Sequence, residues 1–240
     1  MGEAKIRLCV DHPLEAGQSF PLPPAQAHYL ADVMRVPDGG AVLAFNGRDG
    51  EWLCTLGRPG RRQAGLTPVR MTRAQAEPPD LWLLFAPLRK ARTDFVVEKA
   101  VELGVRRILP VQTAFTSAER IRRDRLVAQA REAAEQCGAL AVPAVDGLRP
   151  LDAVLADWDA GRRLYLCDES LAGQPSAVPE RGRPGAVLVG PEGGFSAAER
   201  AKLRARPFVV PLALGPRILR AETAALAALV LWQRAAGDWA

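Results

Sequence analysis

AVLVGPEGGFSAAE, residues 186–199, and LALGPRILRAETAALAAL, residues 212–229, are the stretches whose reading decides the fold of this chain. In the first, a short apolar run ends in a glycine- and proline-bearing loop that opens at once into a helical pattern. A continuous apolar run suits a strand buried on both faces, as in a parallel sheet. Glycines in the loop let main-chain amides come close to a ligand, and the next helix offers its positive end. Ser196 with Glu199 three residues on forms a capping box, which fixes the start of that helix. In the second stretch Gly215 and Pro216 hold an irregular backbone between strand and helix. Arg217 and Arg220 then stand at the helix start, where positive charge opposes the dipole, so they call for an anion. Glu222 and Thr223 also read as an ordinary first-turn acid and hydroxyl.

Working outward, residues 81–86, 106–111, 163–167, 186–189 and 208–212 read as strands. They alternate with helices at 93–103, 122–136, 196–206 and 221–234, of which the first two end at Gly104 and Gly138. That alternation predicts an α/β domain with a mainly parallel sheet. Ligand sites in such sheets lie beyond the carboxyl ends of the strands, so the exit Cys167-Asp168-Glu169 joins the two loops above as a candidate. Neither an early GxGxxG nor a GxxxxGK(S/T) loop is present, and a nucleoside bound through late-chain loops fits better. Upstream, 6–10 reads as a strand, 24–33 as a short helix, and 41–56 as a hairpin turning on Asn46-Gly47-Arg48-Asp49-Gly50. With a further strand at 64–73, this is a small β-rich unit compatible with a compact barrel. The polar, proline-rich stretch 74–79 reads as a linker, which gives domains at 1–73 and 80–240.

Composition removes several classes of function. Apolar residues make 48% and charged ones 25% of 240, as in an ordinary globular protein with a sizeable core. No run of about 18 apolar residues exists to span a membrane, and Met1-Gly2-Glu3-Ala4-Lys5 begins no signal-peptide core, so the chain reads as cytoplasmic. Cys9, Cys54, Cys137 and Cys167 are scattered without a CxxC, which argues against a metal site and a disulfide framework. The two histidines, His12 and His28, sit in no nucleophile–histidine motif. The net charge of +5 is concentrated: residues 89–131 carry eleven Lys/Arg against five Asp/Glu, whereas 132–240 carry twelve against thirteen. A basic segment on a neutral background suits a polyanion, although solvated helix faces give the same count.

LVGPEGGFSAAE followed at this spacing by LALGPRILRAETAALAAL resembles the SPOUT methyltransferases. More narrowly, the chain is similar to the bacterial family that methylates the N3 atom of a uridine in 16S ribosomal RNA. DFVVEKAVELGV at 94–105, AREAAEQCG at 130–138 and RLCVDHPL at 7–14 carry the likeness through the whole chain. The resemblance implies a C-terminal trefoil knot, an exception to the usual absence of knots, behind a PUA-like β-barrel that binds RNA. It implies S-adenosylmethionine as cofactor, 16S ribosomal RNA within the assembled small subunit as partner, and a homodimer. Carried over by position, the cofactor contacts are Gly190, Pro191, Glu192, Gly193 and Gly194, then Leu212, Leu214 and Gly215, and Ile218, Leu219, Arg220 and Thr223. Leu166 and Asp168 join them. The chain departs from the family at Ala139 and Leu140, where an arginine commonly follows the glycine, and at Ala221, which replaces a threonine.

Uridine N3 is a weak acid that must lose its proton to become a nucleophile. An arginine beside the uracil oxygens stabilises the anion, and Arg220 is the first candidate, with Arg7 second. Glu222 either anchors an arginine or relays a proton. The rival readings are a SPOUT enzyme acting on a ribose 2′-oxygen of transfer or ribosomal RNA, a knotted RNA-binding protein without catalysis, and an unrelated nucleotide-binding α/β enzyme.

Overall fold

The computed structural model describes residues 4–60 and 63–239, and the chain divides into two compact units. The first holds Met1–Glu77 with Ala134–Val142, and the second Pro78–Ala133 with Pro143–Ala240. Met1, Gly2 and Glu3, on which part of the signal-peptide reading falls, lie outside the described residues.

The first unit is a curled mixed sheet, a half-barrel. Its strands are β1 (Arg7–Cys9), β2 (Phe20–Pro21), β3 (Ala41–Phe45), β4 (Glu51–Gly60) and β5 (Gln63–Arg73), in the order β1-β3-β4-β5-β2. Helix α1 (Pro24–His28) continues as a π-helical stretch over Tyr29–Val33. The β3-β4 hairpin turns where the Asn-Gly signal places it. Asn46 Oδ1 accepts the amides of Arg48 and Asp49, while Gly47 takes a φ of +78°, which a side chain would resist. Val42, Ala44, Cys54, Leu56 and Leu66 point inward with Leu8, Val10 and Leu30 to make the core. Residues 134–142 return to this unit because Arg7 gathers them. Its Nη1 donates to the carbonyls of Ala134 (2.6 Å) and Glu135 (3.0 Å), its Nη2 to that of Ala139 (2.8 Å), and its Nε to Glu51 (2.7 Å). A reading in consecutive blocks does not contain that return, since it depends on side-chain bonds between distant stretches.

The second unit carries β6 (Leu81–Phe85), α2 (Lys90–Glu102), β7 (Arg107–Gln112), α3 (Arg123–Cys137, its last turn counted with the first unit), β8 (Ala144–Val145), β9 (Arg149–Pro150) and α4 (Leu151–Ala156). It continues with β10 (Arg163–Cys167), β11 (Gly185–Val189), α5 (Ala197–Arg204), β12 (Val209–Leu212) and α6 (Ala221–Ala236). The sheet order is β12-β10-β11-β6-β7-β8, with β9 also on β7, and every ladder is parallel. All five residues of β11 are buried, as the unbroken apolar run requires. α2 begins at Lys90, ahead of the expected 93, because Thr93 Oγ1 donates to the Leu88 carbonyl (2.9 Å) and accepts its amide (3.0 Å). The short β2, β8, β9 and α4 show no period in sequence.

α6 lies on β11 and β10 and against α2. Its Gln233, fully buried, donates to the Leu103 carbonyl at 2.6 Å and so ties the end of α6 to the end of α2. Among the described residues no helix is long and apolar enough to cross a membrane. Trp232 of α6 seats directly over Gly185 of β11, where a Cβ would lie 2.2 Å from Trp232 Nε1. Gly185→Ala should therefore destabilise the fold by about 2 kcal/mol, within the usual cost of overpacking. Denaturant midpoints of the two proteins check this, and an unchanged midpoint would mean that the indole moves aside freely.

Candidate active site

Parallel strands end on the same side, so the exits of β10, β11 and β12 converge. The loops after them wall a cavity of about 500 Å³ that lies within the second unit. The β11 loop is held by Gly194, whose φ is +68° and whose amide donates to the Pro191 carbonyl at 2.9 Å. It runs into α5 through the expected capping box: Ser196 Oγ accepts from the Glu199 amide, and Glu199 Oε2 accepts from the Ser196 amide. The β12 loop turns at Gly215, φ +92°, whose carbonyl accepts the Gly173 amide at 3.0 Å and thereby meets the β10–β11 connection.

Gly190, Pro191, Glu192, Gly193, Gly194, Leu214, Gly215, Ile218, Leu219, Arg220 and Asp168 all line the cavity. Leu166 and Leu212 sit in the core of the sheet and Thr223 is exposed on α6, so these three do not line it. Arg7 has four of its donor contacts occupied inside the first unit and its guanidinium lies 4.5 Å over the Phe45 ring. It acts there as a structural tie and is not among the residues that line the cavity. Leu140, at one departure from the family, is buried, and Ala139 serves Arg7 through its carbonyl.

Arg92, on the first turn of α2, was not singled out in sequence yet lines the cavity. Its Nη1 lies 3.5 Å from Glu192 Oε1 and its Nε 3.5 Å from Glu222 Oε1. Glu222 thus anchors Arg92, and its Oε2 is buried without a hydrogen-bond partner. The signal that finds Arg92 is the one applied to Arg217 and Arg220: Arg89, Lys90 and Arg92 crowd a helix start where cations are disfavoured. Arg217 and Arg220 are exposed on the cavity side and make no side-chain hydrogen bond or ion pair among the described residues. Arg220 is the N-cap of α6, with φ −65° and ψ 155° and no side-chain cap bond.

Two groups at the β10 exit differ sharply in charge state. Burial pushes the Cys167 thiol up to about 12, so it is a protonated wall and not a nucleophile. Burial also opposes ionisation of Asp168, but hydrogen bonds from Ser170 and Arg204 outweigh it and hold the carboxyl below the ordinary carboxylate range. Among the described residues, no three His, Cys, Asp or Glu are grouped to hold a metal ion.

The second unit is a parallel α/β domain with a loop-walled cavity of nucleoside size, and its sequence places it in a class of RNA-modifying enzymes. Residues 75–233 match the model of an RNA methyltransferase domain, and residues 22–68 that of an RNA methyltransferase PUA domain. The chain belongs to this RNA methyltransferase family. It is 28% identical over 232 residues to the ribosomal RNA small subunit methyltransferase E of Bacillus subtilis, covering 90% of each chain. It is 26% identical over 231 residues to the protein of that name from Rickettsia conorii, covering 94% of this chain and 88% of the relative. The crystal structure of ribosomal RNA small subunit methyltransferase E from Neisseria gonorrhoeae, bound to S-adenosyl methionine, superposes with a TM-score of 0.88 at 26% identity, covering 98% and 99% of the two chains.

Asp168 supplies a pH test. A carboxyl whose folded pKa is depressed stabilises the fold above its unfolded value, near 3.9, and that contribution is lost as pH falls through the folded value. Asp168→Asn should lower the melting temperature at neutral pH, with the gap from the parent protein closing below about pH 4. A gap that stays constant with pH would show that ionisation is not its source.

Proposed function

We propose that this chain transfers a methyl group from S-adenosylmethionine to the N3 atom of a uridine in 16S ribosomal RNA. The observation that carries the reading is the glycine-walled cavity with two unneutralised arginines, Arg217 and Arg220, on its lining. The names of the relatives support the cofactor and the ribosomal substrate, and the resemblance in sequence supports the N3 position. The cavity fits the cofactor's chemistry. Gly193 stands where a Cβ would meet Phe115 at 3.3 Å, so a side chain there would have to push the exposed Phe115 aside. Asp168, Glu169 and Glu192 put carboxylates on the same lining, each paired with an arginine. When bound, S-adenosylmethionine supplies an electrophilic methyl.

The protein's own residues do the rest. Gly190, Gly193 and Gly194 let the backbone close on the ligand and align it, which in a displacement reaction is most of the catalysis. Arg220 stands beside the uracil oxygens and favours the anion left when the N3 proton departs. Glu222 holds Arg92 in the wall. The uridine leaves its stack to reach the cavity, and the basic residues of 89–131 together with the PUA domain hold phosphates. The β10–β11 and β12–α6 connections, which meet at Gly173 and Gly215, are read as the trefoil knot. The protein works as a homodimer in the cytoplasm on the assembled small subunit. The exposed apolar Val230 and Leu231 of α6 support the dimer, and sedimentation as a monomer at micromolar concentration would refute it.

Incubation with labelled S-adenosylmethionine and undermodified small subunits, followed by mapping of the nucleoside, tests the whole reading. N3-methyluridine is expected, and a ribose methyl would move the protein to the other SPOUT chemistry. Within that assay Arg220→Ala should slow single-turnover methyl transfer by at least ~10²-fold while RNA affinity falls far less. Lysine at this site should restore only part of the rate, because it lacks the planar fork. A stable Arg220→Ala protein with a near-normal rate would remove Arg220 from catalysis.

A further inference from the structure

Glu169 follows Asp168 in the chain and lines the cavity from the start of the one-turn 3₁₀ helix Glu169–Leu171. Everything around its carboxylate is fixed. Asp168 caps that turn by accepting the Ser170 amide at 3.1 Å, and Arg204 holds Asp168 in turn. Arg200 of α5 donates through Nη2 to Glu169 Oε1 at 2.5 Å and also to the Phe195 carbonyl at 3.1 Å. The other oxygen, Oε2, makes no hydrogen bond among the described residues. Gly194 is shaped to admit the carboxylate. A Cβ there would lie 2.6 Å from Glu169 Oε1, and the φ of +68° disfavours any side chain. The local charges balance, with Asp168 and Glu169 set against Arg200 and Arg204.

We propose that Glu169 is a ligand-binding residue whose free carboxylate oxygen accepts hydrogen bonds from the vicinal hydroxyls of the cofactor's ribose. The proposal rests on the reading of the cavity as an S-adenosylmethionine site. A carboxylate already neutralised by an arginine gains little from a further cation, whereas its vacant lone pairs suit neutral O–H donors. Its rigid setting means that little ordering is left to be done on binding. The same geometry accounts for glycine at 194 through the carboxylate it makes room for.

The test is calorimetric and needs no turnover. S-adenosylhomocysteine and its analogues lacking the 2′- or the 3′-hydroxyl are titrated into the parent protein and into Glu169→Gln, which keeps the side chain's shape; melting curves confirm that both are folded. In the parent protein at least one deoxy analogue should bind about 10-fold or more weakly than S-adenosylhomocysteine, the scale of a hydrogen bond to a charged group. In Glu169→Gln that penalty should shrink to roughly 3-fold or less, since the charge is gone. If the variant weakens all three ligands equally, or leaves both penalties unchanged, the assignment of Glu169 is overturned and the cofactor site stands. Failure of S-adenosylhomocysteine to bind the parent protein overturns the cofactor reading itself, and the assignment with it.

Discussion

Four hydrogen bonds end on the carboxylate of Asp168: two from Ser170 to Oδ1 and two from Arg204 to Oδ2. This buried charge fixes the point where β10 leaves the sheet, and the cavity is organised around that point. The carboxylate is out of water, so each of those bonds is worth more than it would be at the surface, and removing one partner would leave an expensive orphan. Through Arg204 it also binds the β10 exit to α5, the helix that begins at the end of the β11 loop. Two of the three walls of the cavity are thereby held in one frame. The third, the β12 loop, joins by the main-chain bond between Gly173 and Gly215. A site made of loops acquires in this way the rigidity that preorganised binding needs.

The arginine-rich composition resolves into two populations with different physics. Arg7, Arg162, Arg200 and Arg204 are internal ties that use the planar fork to gather carbonyls and carboxylates. Arg162 is almost fully buried, bonds Asp80 and the Gly185 carbonyl, and stacks 3.8 Å above Trp82. A lysine there has neither the second donor direction nor the stacking face. Arg217 and Arg220, in contrast, have no internal partner among the described residues. Net charge alone therefore overstates the cationic surface, and position within the fold is what marks an arginine as available to a polyanion.

How legible the fold was depended on how local its causes are. The Asn46–Gly47 turn and the Ser196–Glu199 capping box are settled by hydrogen bonds within three residues, and both formed where the sequence placed them. The parallel sheet followed from unbroken apolar runs such as β11. The loops of the site were legible through their glycines. Less legible were features set by distant side chains. Leu166 and Leu212 were expected at the ligand, but both side chains are buried in the core of the sheet, and the cavity is lined from the end of β10 onward, by Cys167 and Asp168. Arg92 reaches the cavity from α2, some hundred residues before the loops it contacts. Glu169 belonged to an exit recognised as a candidate for the site, but its relation to Gly194 is a matter of three-dimensional clearance.

The return of residues 134–142 to the first unit bears on the order in which the chain acquires its structure. The bonds from Arg7 to Ala134, Glu135 and Ala139 close loops of 127, 128 and 132 residues. Such closures are slow and come late, because chain entropy must be lost before the contact is made. During synthesis the five strands of the half-barrel emerge long before α3 does. Until then Arg7 and the backbone of β1 lack the partners that complete them, Cys9 included, whose amide waits for Glu135. The N-terminal unit is therefore not an independent block that finishes folding as it leaves the ribosome. It matures only when the Pro78–Ala133 part of the second unit has been made, and the two parts of the protein share one folding schedule.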